Sequence, residues 1–204
     1  MENHPVKLVL EKPRRWARIH VLLRLGLLLA LAVIGAPLGY LYGVLYVVLP
    51  VVAALIVSQQ GAAAYLTVTG PRIVRAMYWW NAAVAYLLLL TDRVPGDLRT
   101  QGPEGNHLQF DVAVGGAPTV GTALLRWLTS LPEFIALAVL WWIAGIVLLI
   151  AAITVLLVER VPDFALSYLE YLLVFQARLL AYHASLVETH ALWSEPGERT
   201  TVGV

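Results

Sequence analysis

The longest uncharged stretch of the chain runs from Leu25 to Pro71, 47 residues without an Asp, Glu, Lys, Arg or His. A soluble domain does not tolerate such a segment, whereas the hydrocarbon core of a bilayer needs about 20 apolar residues for each crossing helix. Pro37, flanked by glycines, is a natural point for a helix to break. The stretch therefore predicts two membrane helices, at about 17–36 and 40–68, joined by a tight turn.

The composition of the chain also indicates a membrane environment. Sixty per cent of the residues are hydrophobic, only 13% are charged, and the mean hydropathy is +0.76. The net charge of +1 provides no basic patch of the kind that binds nucleic acid. The absence of cysteine from the sequence excludes a disulfide framework and a thiolate nucleophile. These features predict an integral membrane protein that does not bind nucleic acid.

A second apolar run extends from Phe134 to Val158 and predicts a helix over about 130–158. Its 25 uncharged residues are enough to cross a bilayer once, with some tilt. Ser130 and Glu133 have the spacing of a capping box, in which each side chain accepts from an otherwise unpaired backbone N–H. We therefore expect the helix to begin at this pair.

Two features of the second half leave alternatives open. Trp141 and Trp142 lie near the middle of the apolar run, although indoles favour the headgroup level, so a broken or re-entrant helix is an alternative to a straight one. Residues 163–190 predict an amphipathic helix, which either lies in the interface plane or packs its polar face inside the membrane; we favour the interface. The polar face carries Asp163, Ser167, Glu170, Arg178, Ser185 and Glu188.

Several sequence features occur twice in the same order. Alternation of polar and apolar residues predicts two short strands, over 5–11 and 107–114, which we expect to pair with each other. Each strand is followed by a Leu-Leu-Arg helix entry, ending at Arg24 and at Arg126, 102 residues apart. An Ala-Tyr pair followed six residues later by an acid also occurs in each half. The pattern indicates a tandem duplication of a unit of about 100 residues.

The predicted fold class is therefore an all-α polytopic membrane protein of two tandem repeats. Each repeat contains a short strand, one or two transmembrane helices and an amphipathic interfacial helix, the latter predicted over 72–91 and 163–190. The first half of the chain is residues 1–95 and the second half is residues 106–193, with a polar linker over 96–105 and a tail over 194–204.

The order of these motifs resembles a family of prokaryotic membrane proteins catalogued only as a domain of unknown function, often present as two tandem copies. In the first half the motifs are Pro5-Val6-Lys7-Leu8, Thr69-Gly70-Pro71-Arg72, Ala85-Tyr86 and Thr91-Asp92-Arg93-Val94-Pro95. In the second half they are Arg126-Trp127-Leu128, Pro132, Glu159-Arg160-Val161-Pro162-Asp163-Phe164 and Ala181-Tyr182. The resemblance implies a membrane location and a two-copy architecture, and it supplies no catalytic residues.

Three glycines at four-residue spacing, Gly35, Gly39 and Gly43, form a candidate helix-packing face. Glycine at this spacing leaves a smooth groove that a second backbone approaches closely. Because Pro37 lies within the motif, the same residues also suit the turn of a helical hairpin. We favour the turn and keep the packing face as the alternative.

The second half also contains the few polar residues that are candidates for a site. His183 and His190 share one face of the last helix and are weak candidates for a cofactor or metal. No carboxylate at ligand spacing completes a set, so hydrogen bonding to other helices is the favoured interpretation. Glu170 and Arg178 are a possible intramembrane polar pair if this helix spans the bilayer. We expect no cofactor and no metal.

The sequence contains no nucleophile, metalloprotease, phosphate-loop or dinucleotide motif. The leading hypothesis is a non-catalytic accessory or scaffold subunit that packs with itself or with other membrane protein subunits. The alternatives are a small solute or ion transporter or channel, and a lipid-binding or membrane-shaping protein. Six basic side chains in the first 24 residues predict a multi-pass protein of the cell inner membrane with a cytoplasmic N-terminus.

Overall fold

The structure, a computed structural model, describes residues 4–10, 13, 15–33, 38–92 and 108–190. The elements in chain order are β1 (Val6–Leu10), α1 (Arg18–Val33), α2 (Leu38–Ala64), a π-helical turn (Tyr65–Thr69), α3 (Gly70–Leu87), β2 (Leu108–Val112), α4 (Val120–Thr129), α5 (Leu131–Val158) and α6 (Asp163–His183). Helices therefore make up most of the described chain. The predicted turn at Pro37 lies outside the described residues.

The two strands pair antiparallel, as the sequence predicts. The central partners of the ladder are Leu8 and Phe110. Their separation of 102 residues equals the separation of the two Leu-Leu-Arg helix entries. Lys7 lies opposite Asp111, an opposite-charge pair that favours this register. Each strand thus has the other half of the chain as its partner.

A helical run of 48 residues, Tyr40–Leu87, contains α2, the π-helical turn and α3. At 1.5 Å per residue, a straight helix of this length would extend about 72 Å, far beyond one bilayer crossing. The run is bent at Gly61, whose φ of 78° and ψ of 163° are not helical. This backbone conformation is essentially restricted to glycine. Pro71 does not interrupt α3 because it occupies the first turn, where its missing N–H is not needed.

The predicted capping box at Ser130 and Glu133 is wrong. Ser130 makes no side-chain cap to the start of α5, because its hydroxyl is used in other contacts described below. A capping box is instead present at the start of α4, where Thr119 and Thr122 bond each other's backbone N–H groups. The sequence predicts the capping box one helix too late in the chain, because it does not indicate that α4 and α5 are separate helices.

Helix α5 is continuous past Trp141 and Trp142, so the alternative of a broken helix is wrong. The two indoles point in different directions. Trp141 Nε1 donates to Gln176 Oε1 at 3.2 Å, whereas Trp142 is 81% exposed. One indole thus has a polar partner on α6 in the protein interior, and the other faces outward from the apolar surface of α5.

Helix α6 lies at the centre of the described structure and packs on α5, α3 and β1. The packing is reciprocal between halves: α1 contacts α5 and α2 contacts α4, while β1 lies on α6 and β2 on α3. The helix predicted over 163–190 ends at His183. The expected solvent-facing stripe of this segment holds at Asp163 and Glu188. It is wrong at Arg178 and Ser185, which are buried, because neighbouring elements cover that part of the helix.

Three helical segments are long and apolar enough to cross a membrane: Tyr40–Leu87, Leu131–Val158 and Asp163–His183. The outer surfaces of α2 and α5 are built from large apolar side chains. The exposed ones include Val44, Val47, Val52 and Leu55 on α2, and Ile135, Val139, Ile146, Leu149, Ile153 and Leu157 on α5. The outside of α5, and of α2 as far as Leu55, is thus mainly apolar.

Candidate functional site

An arginine in the first half is buried against the end of α3. Arg24 is 3% exposed, and its guanidinium carbon lies 4.4 Å from the ring centroid of Tyr86. Its Nη2 donates to the backbone carbonyl of Thr91 and to Asp92 Oδ1, the latter at 2.9 Å. The other carboxylate oxygen of Asp92 accepts from the backbone N–H of Ala17 at 2.7 Å. These contacts join the start of α1 to the end of α3.

An arginine in the second half has nearly the same surroundings. The guanidinium carbon of Arg126 lies 4.4 Å from the ring centroid of Tyr182. Its Nη1 donates to the backbone carbonyls of Tyr182 and Val187, the latter at 2.7 Å. Glu188 does not reach the guanidinium; its Oε1 accepts from the backbone N–H of Ala117 at 3.3 Å. In this cluster the arginine therefore binds carbonyls only.

Helices α3 and α6 end with the same backbone turn. Leu89 and Ser185, 96 residues apart, are both left-handed, with φ values of 60° and 55°. In each case the next leucine donates its N–H to the carbonyl of the alanine in the Ala-Tyr pair, at 3.0 and 3.1 Å. This is the 6→1 bond of a Schellman ending. It gives the Ala-Tyr motif a structural role, since it places the tyrosine ring under the arginine.

A buried polar cluster joins α2 of the first half to α5 and α6 of the second half. Ser130 Oγ lies 2.7 Å from His183 Nε2 and 3.2 Å from the hydroxyl of Tyr46. The Ser130 hydroxyl also donates to the backbone carbonyl of Arg126. The rings of Tyr46 and His183 are 4.2 Å apart. Three helices, α2, α5 and α6, therefore meet through one serine that precedes α5.

A second contact of the cluster involves the other histidine. His190 Nδ1 lies 3.3 Å from Glu133 Oε1, and Glu133 is 2% exposed. The His190 ring packs 4.3 Å from Tyr182. This carboxylate partner is not predicted from the sequence, because Glu133 is assigned there to the cap of α5. The available sequence signal was the position of Glu133, a lone acid directly before a 25-residue uncharged run, where a buried acid needs a partner.

The two histidines contact different partners, and the described residues include no group of three His, Cys, Asp or Glu side chains that could hold a metal ion. A serine 2.7 Å from an imidazole is the arrangement of a nucleophile and its base. Both Ser130 and His183 are 0% exposed, however, so a substrate has no approach to them. The arrangement is suited to joining helices through hydrogen bonds.

Glu170 and Arg178 lie eight residues apart on α6, which separates them by about 12 Å along the helix axis. Arg178 is buried and faces His4, which precedes β1. Glu170 is partly exposed. A functional role for the two residues as a pair stays a prediction.

Gly43 has open space around it: a Cβ added there would meet no atom within 4 Å. Within the described chain, no helix therefore packs closely on this glycine. Gly35 and the surroundings of Gly39 lie outside the described part of the structure. Among the described residues, the space beside Gly43 is therefore open.

No family model matches the chain, and no curated protein or solved structure matches it either.

Proposed function

We propose that the chain is an integral membrane protein whose helices α2 and α5 cross the bilayer. The inversion of polarity between surface and interior supports this. The exposed side chains of α5 are large and apolar, whereas Arg24, Arg126 and Glu133 are almost fully buried. A lipid solvent favours this distribution, and water opposes it. An alkaline carbonate wash of membranes should leave the protein in the pellet; release into the supernatant would overturn the proposal.

We also propose that the two halves arose by tandem duplication, as the family resemblance implies. The arginine–tyrosine clusters support this interpretation, because their geometry repeats at matching positions. The shared helix ending of α3 and α6 supports it independently. The strand ladder is centred on Leu8 and Phe110, a pair at the 102-residue separation. Such a centre is what a two-fold arrangement of equivalent halves requires.

The proposed location is the cell inner membrane, with the N-terminus in the cytoplasm. The exposed arginines Arg15, Arg18, Arg72 and Arg75 support this orientation, since Lys and Arg concentrate in cytoplasmic segments. In this proposal the predicted turn at Pro37 lies on the opposite side. Single cysteines introduced into this cysteine-free chain, at Arg75 and at residue 37, should react with an impermeant reagent from opposite sides.

The function that these observations support best is a non-catalytic accessory or scaffold subunit that packs with itself or with a larger membrane complex. Open space beside Gly43, on an apolar face of α2, is the observation that carries it. The buried polar groups bind other helices of the same chain. The outer apolar faces are therefore the surfaces through which the protein would associate with other membrane proteins. In lipid, close helix contact depends on small residues at the interface.

Replacement of Gly43 by leucine tests this function. Gly43→Leu should convert a detergent-solubilised assembly into free monomer, because the new side chain fills the space that a neighbouring helix requires. Gly145→Leu is the matched control, since Gly145 is also in open space on α5, 102 residues later. Mass measurement in mild detergent distinguishes the states. A wild-type protein that is monomeric, with no co-purifying protein, would contradict the scaffold function.

A further inference from the structure

The outer surface of α2 changes from apolar to polar within one turn. Leu55 is exposed and apolar, whereas Ser58, Gln59 and Gln60 are exposed and polar. The backbone bends at Gly61 directly afterwards. Because lipid-facing surface is apolar, this change marks the edge of the hydrocarbon region in the proposed membrane arrangement. The first turns of α3 follow on the polar side of that edge.

Two arginines occupy the exposed side of α3 beyond this edge. Arg72 and Arg75 are one turn apart and both exposed. No carboxylate in the described parts of the chain lies within 4.0 Å of either guanidinium. Like charges at this spacing repel each other and weaken a helix by a few tenths of a kcal/mol. An anion beside the two guanidiniums would remove this repulsion.

A tryptophan continues the same face of the helix. Trp79 follows Arg72 by seven residues, two helical turns, so both side chains leave the helix in nearly the same direction. The Trp79 ring is partly buried against the core and packs edge-on to Tyr78 at 5.2 Å. An indole with one apolar and one polar side favours the level of lipid headgroups. The face therefore presents two cations next to an interfacial anchor.

We propose that this face of α3, made of Arg72, Arg75 and Trp79, binds the headgroup phosphate of anionic phospholipids in the leaflet on the N-terminal side. The proposal rests on the membrane location proposed above. A guanidinium binds phosphate oxygens through two parallel hydrogen bonds, and the negative cytoplasmic leaflet attracts basic side chains placed near it. Trp79 sets the depth at which the two arginines meet the phosphates.

The test compares spin-labelled phosphatidylglycerol with spin-labelled phosphatidylcholine at the surface of the reconstituted full-length protein. The wild type should prefer phosphatidylglycerol, and R72Q/R75Q should lower the preference at least ~5-fold, given about 1 kcal/mol per basic residue near the surface. R15Q/R160Q is the control, because it removes the same charge from exposed positions outside α3. The variant R72K/R75K should keep most of the preference, which excludes misfolding as the cause.

Three results would overturn the inference. The first is no preference for phosphatidylglycerol in a wild type that resists alkaline extraction. The second is an equal preference for this lipid in R72Q/R75Q and in the control. The third is loss of the lipid preference in inorganic phosphate but not in chloride of the same ionic strength. The last would show a site for a soluble anion. Release of the protein by alkaline extraction would contradict the membrane location itself, so the two failures are distinguishable.

Discussion

The two arginine clusters place a guanidinium at the same distance from a tyrosine ring but balance its charge differently. Arg24 binds a carbonyl and the carboxylate of Asp92, whereas Arg126 binds two carbonyls. The acid that follows in the second half, Glu188, binds a backbone N–H instead. The comparison shows that the helix ending and the ring fix the position of the arginine. The acid is a separate element that each half uses in its own way.

The largest expected effect is that of Arg24→Met, which leaves Asp92 without its counter-ion in a buried setting. Breaking a buried ion pair in this way costs about 3–5 kcal/mol. Asp92→Asn in the same chain should recover part of the loss, giving a coupling energy of about 1–3 kcal/mol. Unfolding by SDS in mixed micelles measures all four members of the cycle. Strictly additive losses would show that the pair contributes nothing.

The equivalent cycle in the second half should behave differently. Arg126→Met leaves the carbonyl of Val187 without its donor, at about 1–3 kcal/mol, whereas the carbonyl of Tyr182 still accepts from the Ser185 N–H. Glu188→Gln should not recover this loss, because the Glu188 carboxylate does not bind the guanidinium. We expect a coupling energy smaller than that of the Arg24 pair, because Glu188 acts on Arg126 only through its charge and makes its hydrogen bond to Ala117 instead. A coupling as large as that of the Arg24 pair would mean that the two clusters are electrostatically alike.

The sequence predicts the outline of the fold because helices that face lipid need long uncharged segments, which are easy to recognise in a sequence. Uncharged runs locate α2 and α5, and alternation locates both strands. The contacts of Ser130 were not predictable in the same way, since Tyr46 and His183 are distant in sequence and only the packing of three helices brings them together. The burial of Arg178 was missed for a related reason. A helical wheel shows which face of a helix is polar, but it does not show which other elements pack over that face.

The next largest effect concerns a contact between the halves. His4, on the first-half strand, is buried against Arg178 of the second half, and burial followed by this positive charge lowers the pKa of His4 to about 4 from 6.5. The backbone N–H of Val6 donates to its Nδ1 at 3.0 Å, so Nδ1 carries no proton in the fold. Between these two pH values the unfolded chain binds more protons than the folded chain.

Stability should therefore be unaffected by His4 above about pH 6.5 and fall by up to roughly 3 kcal/mol as the pH drops to about 4. His4→Asn retains an acceptor for the Val6 N–H and cannot be protonated. The pH dependence of unfolding of this variant should accordingly be shallower than that of the wild type. Parallel curves for the two proteins would show that His4 binds protons equally in both states.

A smaller effect is expected in the polar cluster around Ser130, which joins the two halves. Ser130→Ala removes the partner of His183 Nε2 and of the Tyr46 hydroxyl, at a cost of about 1–3 kcal/mol. In the proposed duplication, His183 corresponds to the buried Leu87 of the first half. The double variant S130A/H183L should lose less than the sum of the single variants, because it leaves fewer polar groups unpaired. An additive double variant would show that the two side chains are not coupled.

The smallest effect compares the glycines of α2 and α5 that lie 102 residues apart. Gly43 and Gly145 are both helical, and an added Cβ meets nothing within 4 Å at either position. Replacement by alanine should therefore stabilise each isolated helix by up to about 1 kcal/mol through helix propensity. In monomeric protein we expect equal gains in SDS unfolding for the two variants. In the assembled protein the gain at Gly43 should be reduced, because a methyl group enters the space that a neighbouring helix uses, whereas the gain at Gly145 should persist. Equal gains in both states would place the association surface elsewhere and remove the distinction between the two faces.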